Sequence, residues 1–76
     1  MGLKEDVKTA IAEILDVDVQ QLTDTSKLYD SIGVDSTEMV ELTVALGKRF
    51  NIKLGAADIS KFSTPLEIVS VIEKRK

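Results

Sequence analysis

The sequence predicts an all-α fold: a four-helix bundle with three main helices, a short third helix and a long loop after the first. Apolar residues recur at helical spacing in three separate stretches. Two of those stretches open on strong capping sequences. The one stretch with strand-like alternation, Asn51-Ile52-Lys53-Leu54, has no second stretch to pair with.

Residues 1–76 are read as a single domain, and a chain of this length buries only about 60% of the surface it exposes when unfolded. Its core must therefore be small. With 43% apolar and 30% charged residues, the composition is that of a globular chain. Cysteine and histidine are both absent. The first absence excludes disulfides and thiolate metal sites; the second removes the usual general base and the commonest metal ligand. A self-contained hydrolytic enzyme is not expected. No apolar signal segment opens the chain and no run is long enough to span a bilayer, so a cytoplasmic protein without membrane insertion is expected. Met1-Gly2 begins like a myristoylation motif, but Asp6 stands where serine or threonine is required.

Leu3, Val7, Ile11, Ile14 and Leu15 form the apolar stripe of a first helix over about residues 3–15. Both charges are mixed on its polar side, which fits a core-facing helix better than a membrane-binding one. Residues 16–35 then form a long connection. Asp16-Val17-Asp18 imitates the start of a calcium loop, but Gln21 and Lys27 occupy the positions that need glycine and glutamate. Calcium binding is rejected. A long structureless loop is unusual in a small domain, so Val17, Val19, Leu22, Leu28 and Ile32 are expected to pin it, with a helical turn around Ser26–Asp30.

A second helix is expected from Ser36 to about Phe50. Asp35 is a strong N-cap type, and Glu38 three residues on completes a capping box. Met39, Leu42 (or Thr43), Leu46 and Phe50 share one face, flanked by Val40 and Val44. Gly47 is a flaw of about 1 kcal/mol relative to alanine, and a bend or early end is expected there. Lys48 and Arg49 suit the last turn. Residues 56–62 permit a short third helix. The fourth begins where Thr64 caps, Pro65 takes the first helical position and Glu67 completes another box; Leu66, Ile68, Val69, Val71 and Ile72 supply its buried side, and Lys74-Arg75-Lys76 suits its C-terminus.

Charge divides the chain. Residues 1–41 hold ten acids against three bases (−7), and residues 42–76 hold three acids against seven bases (+4). The acids Asp30, Asp35, Glu38 and Glu41 crowd around Ser36, a field that attracts basic partners and repels nucleic acid. Ser36 itself falls at the first helical position, an exposed corner beside orphan backbone N–H groups where a phosphate is well received.

The run Gly33-Val34-Asp35-Ser36-Thr37-Glu38-Met39-Val40-Glu41-Leu42 resembles the attachment motif of acyl carrier proteins, G-x-D-S-x-x-x-x-E-L, and the helical layout is similar to that family over the whole chain. The resemblance implies a non-enzymatic, monomeric phosphoprotein carrier of fatty acid biosynthesis and lipid metabolism, with 4′-phosphopantetheine from coenzyme A on Ser36. It implies that Asp35 assists the transferase and its metal ion. A phosphopantetheinyl transferase and acyl-loading and acyl-transferring enzymes would be the partners, reading Glu38 and Glu41 together with Thr37, Met39 and Val40. An acyl pocket is expected from Val40, Leu46, Ile59, Phe62 and Ile68, with Phe62 filling part of it. Thr37, where the family usually has an aliphatic residue, and the basic Lys48, Arg49 and Lys53 depart from the fatty-acid-synthesis pattern. They point to a specialised lipid, envelope or polyketide-like pathway. Two rivals share the residues: an aminoacyl or peptidyl carrier, and an unmodified helical interaction module.

Overall fold

The computed structural model describes residues 2–55 and 57–75. Among these residues are four α-helices, α1 (Leu3–Leu15), α2 (Leu28–Ile32), α3 (Ser36–Phe50) and α4 (Pro65–Arg75), and a 3-10 turn at Val19–Gln21. No strand occurs among the described residues. The all-α bundle is as expected, and three helices lie where the apolar spacing put them. The expected second helix is α3.

α1 packs against both α3 and α4. Val7, Ala10 and Ile11 from α1, Leu42 and Leu46 from α3, and Ile68 and Ile72 from α4 are fully buried between them. Apart from Ala10, each of these side chains contributes roughly 1.5–3 kcal/mol on burial. α1 stops at Asp16, which takes a left-handed conformation (φ 57°) and donates its N–H to the carbonyls of Ala12 and Glu13. Aspartate tolerates that conformation better than most residues.

The long connection is ordered by polar contacts as well as apolar ones. Leu22, Leu28 and Val34 are buried in the core, and Val17 and Ile32 pack against it, but Val19 is exposed. Val19 instead opens the 3-10 turn, where Asp18 Oδ1 accepts from Gln20 N–H and Gln21 Oε1 accepts from Asp18 N–H. Asp24 fastens the loop: its carboxylate meets Lys4 at 2.5 Å and Lys8 at 2.7 Å, and its carbonyl accepts from Leu66 N–H at 3.3 Å. The Lys4 hydrogen bond, then that from Lys8, hold the Asp24 carboxyl below its usual range; Asp24 in turn raises Lys4.

Two local expectations are corrected. The short helix lies at Leu28–Ile32, close to the turn expected at Ser26–Asp30, and not at 56–62. Ala56 falls outside the described residues, and 57–62 form turns. Side chains compete with helix formation there. Asp58 Oδ2 accepts from Gly55 N–H at 2.7 Å, Ser60 Oγ from Phe62 N–H at 3.2 Å, and Ser63 Oγ from Ser60 N–H at 3.0 Å. The carbonyls of Lys61 and Ser63 are thereby left for Tyr29 N–H (2.8 Å) and Leu28 N–H (3.0 Å), two donors at the start of α2.

Gly47 does not end α3, which continues to Phe50. The chain after α3 folds back closely instead: Ile52 N–H donates to the Gly47 carbonyl at 2.9 Å, and a Cβ on Gly47 would stand 3.0 Å from the Ile52 carbonyl. Glycine makes room for the return. α4 starts as expected, with Thr64 N–H donating to Glu67 Oε1 at 2.8 Å and Thr64 Oγ1 accepting from Glu67 N–H at 3.2 Å. Lys76, assigned to its C-terminus, lies outside the described residues.

Candidate functional site: an exposed serine at the mouth of an apolar groove

Three consecutive residues set the position of Ser36. Gly33 takes a left-handed conformation (φ 65°) and closes α2 by donating to the Tyr29 carbonyl. Val34 is buried and anchors the turn. Asp35 then caps α3: Oδ1 accepts from Glu38 N–H at 2.8 Å, and Glu38 Oε1 accepts from Asp35 N–H at 3.1 Å. Ser36 follows as the first residue of α3 and is exposed. Its own N–H and that of Thr37 lie in the first turn, where no intrahelical acceptor exists.

Ser36 also lines a groove of about 420 Å³ between α3 and the turns that precede α4. Met39 is nearly buried; Val40 and Val44, 59% and 52% exposed, line it from α3. Leu54, Ile59, Ser60, Lys61 and Phe62 line the opposite side. Thr43 also lines it, but its hydroxyl is occupied, donating to the Met39 carbonyl at 2.7 Å.

The structure therefore brings Ser36, Val40, Ile59 and Phe62 together, but not Leu46 and Ile68. Those two are fully buried in the core and do not line the groove. Helical phase placed them on an inward face, yet that face meets α1, which is packed on both helices. Phe62 does not fill the groove either: it is 55% exposed, with its ring 6.1 Å from that of Tyr29. Met39, expected on the partner surface, is too buried to be read from outside, whereas Thr37 and Glu41 are exposed and Glu38 is partly covered. Leu54, Val44 and Lys61 were not anticipated in the groove. Val44, one turn beyond Val40 on the same flank of α3, carried a usable signal; Lys61 carried none.

The basic end of α3 is divided in use. Lys48 and Lys53 are exposed, but Arg49 reaches Glu13 on α1 at 2.6 Å. No helix among the described residues is long and apolar enough to cross a membrane, and no cluster of metal-ligating side chains occurs among them.

An open hydroxyl at a helix start is here continuous with a groove lined mainly by apolar side chains. The model of one family, described as a phosphopantetheine attachment site, matches residues 5–72. An acyl carrier protein of Thermotoga maritima is 44% identical over 69 residues, 91% of this chain and 85% of the relative. Acyl carrier proteins of Helicobacter pylori (strain J99) and Wolinella succinogenes are 37% and 33% identical over the whole of this chain, covering 97% and 100% of theirs. The chain belongs to the acyl carrier protein family. It is a carrier and not an enzyme, and its cofactor is covalently bound 4′-phosphopantetheine. An unmodified interaction module is set aside. The residues fit the group: Ser36 supplies a free hydroxyl and the groove beside it is mainly apolar.

Proposed function

We propose that Ser36 is the attachment point of the 4′-phosphopantetheine arm and that the chain delivers acyl thioesters to partner enzymes. The observation that carries this reading is an exposed hydroxyl at the first position of α3, at the mouth of a groove lined mainly by apolar side chains. A phosphopantetheinyl transferase would direct the Ser36 hydroxyl onto the pyrophosphate of coenzyme A. The Oγ–P bond forms, the pyrophosphate P–O bond breaks, and adenosine 3′,5′-bisphosphate leaves. The arm supplies a terminal thiol, so a chain without cysteine carries thioesters.

The chain's own residues do the rest. Asp35 holds the first turn in place through Glu38 N–H, keeping the hydroxyl outward. Glu38 and Glu41 give the start of α3 a negative field that steers basic partners. The relatives named acyl carrier protein support an acyl cargo over an aminoacyl one. Exposed Thr37, Lys48 and Lys53 support a specialised pathway over general fatty acid synthesis.

Incubation with coenzyme A and a broad-specificity transferase tests the attachment. The intact mass should rise by one phosphopantetheine moiety, and Ser36→Ala should abolish the gain. An unchanged mass, or an adduct mapped to another residue, would overturn the assignment.

A further inference from the structure

Lys61 and Lys27 differ from the other cations that make contacts in this structure; Lys27 lies 5.8 Å from the Phe62 centroid alone, whereas Lys61 meets two rings and lines the groove. Lys4, Lys8, Arg49 and Arg75 each meet a carboxylate, whereas among the described residues Lys61 meets none. It is framed by rings instead. Its ammonium lies 5.2 Å from the centroid of Tyr29 and 5.5 Å from that of Phe62. Lys61 also lines the groove that begins at Ser36.

Backbone contacts show which end of the groove it occupies. The Lys61 carbonyl accepts from Tyr29 N–H at 2.8 Å, and the Tyr29 carbonyl accepts from Gly33 N–H at 3.1 Å. Lys61 is thus two hydrogen bonds from the turn that leads through Asp35 to Ser36. Leu54 marks the far end, because its nitrogen stands 3.9 Å from where a Cβ on Gly47 would lie, about three turns along α3. Of the two, the Lys61 backbone lies nearer the Ser36 end.

Electrostatics call for a cation there. A phosphodiester on Ser36 would lie beside the carboxylates of Asp35 and Glu38, and the first-turn N–H groups offset only part of that charge. A lysine already confined between two rings has less rotamer freedom left to lose on pairing than a free surface lysine. We propose that Lys61 is the anchoring cation of the phosphodiester on Ser36, biasing the arm to lie along the groove instead of extending into solvent. The inference rests on Ser36 being the attachment point.

The test uses the unacylated holo protein, in which the phosphodiester is the arm's only anion, so a carboxylate on the cargo cannot supply the signal. Phosphorus NMR and backbone amide NMR are recorded at low and high salt for the wild type, Lys61→Gln and Lys61→Arg. The phosphorus resonance of the wild type should move with salt, because the pair is partly screened. Lys61→Gln should hold the high-salt position throughout and lose the apo-to-holo shifts at Tyr29 and Phe62, while Lys61→Arg should retain both. Intact mass, read first, separates the two ideas: no arm on Ser36 overturns both this inference and the attachment. An arm on Ser36 with identical phosphorus and groove signals in the wild type and Lys61→Gln overturns the anchoring role alone.

Discussion

Asp35 and Glu38 cap each other, the carboxylate of each accepting from the other's backbone N–H, at 2.8 Å and 3.1 Å. This reciprocal pair holds the turn that presents Ser36, so Asp35 serves structure whatever else it does. The two roles separate by substitution. Asp35→Ala should cost about 1 kcal/mol of stability, read from the shift of the denaturant midpoint. Asp35→Asn keeps a good cap and should leave stability nearly unchanged while slowing phosphopantetheinylation, if the carboxylate also serves the transferase. Equal modification rates for wild type and Asp35→Asn would confine Asp35 to capping.

Partner docking should follow charge on the exposed side of α3. Glu41 is exposed and has no ion-pair partner among the described residues, so Glu41→Lys is the cleaner probe; Glu38→Lys also breaks the cap. Glu41→Lys should weaken transferase binding, and the loss should shrink as salt rises. At the other end, Lys48→Glu should improve recognition by enzymes of general fatty acid synthesis. Arg49→Glu is a poor companion, because it would set a carboxylate against Glu13, which Arg49 now meets at 2.6 Å. Salt-independent affinities in all variants would show that the surface is not read by charge.

Asp24 makes stability depend on pH at both extremes. Its carboxyl is held low in the folded chain, so the contribution is present above the ordinary carboxylate range and disappears as pH falls through the lowered value. Lys4 is raised, so its contribution is full below the ordinary lysine value and disappears as pH rises through the raised one. Asp24→Asn keeps the carbonyl that accepts from Leu66 N–H. Wild type should therefore exceed Asp24→Asn in thermal midpoint near neutrality, with the gap closing in strong acid and again in strong alkali. A gap constant across that range would remove the ion pairs as its cause.

Gly47→Ala tests why a glycine sits inside α3. Helix propensity alone predicts a gain of about 1 kcal/mol. The new Cβ would stand 3.0 Å from the Ile52 carbonyl, which belongs to a backbone held by the Ile52–Gly47 hydrogen bond. The variant should be less stable than the wild type by urea denaturation, and a clear stabilisation would show that the return after α3 yields freely.

What was legible in the chain was what neighbours in sequence decide. Asp35 with Glu38, and Thr64 with Pro65 and Glu67, fix helix starts through contacts three residues apart, so the starts of α3 and α4 were readable to the residue. Apolar spacing marked the inward face of each helix except at Leu66, assigned to the buried side of α4 but 40% exposed. It could not say which partner that face meets, and Leu46 and Ile68 therefore went to the core instead of the groove. The turns at 57–62 depart from the expected helix because the side chains of Asp58, Ser60 and Ser63 accept from backbone donors. Their purpose is visible only from α2, whose first N–H groups take the Lys61 and Ser63 carbonyls.

Phe62 decides how open the groove is. A phenylalanine filling an acyl pocket would leave room for short chains only, and Phe62→Ala would then cost the roughly 3–5 kcal/mol typical of buried aromatic truncation. The ring is instead 55% exposed and packs on Tyr29 at the mouth, so it borders the groove without plugging it. Phe62→Ala should cost well under that range in a denaturant titration. A long saturated chain on the holo arm should shift amide signals at Met39, Thr43 and Ile59, well beyond the Ser36 corner. Phe62→Ala should leave those shifts in place while disturbing Tyr29 and Lys61, whose ring and ammonium lose their neighbour. Shifts confined to Ser36 and its immediate neighbours would mean that the chain stays outside, and that the groove serves the arm alone.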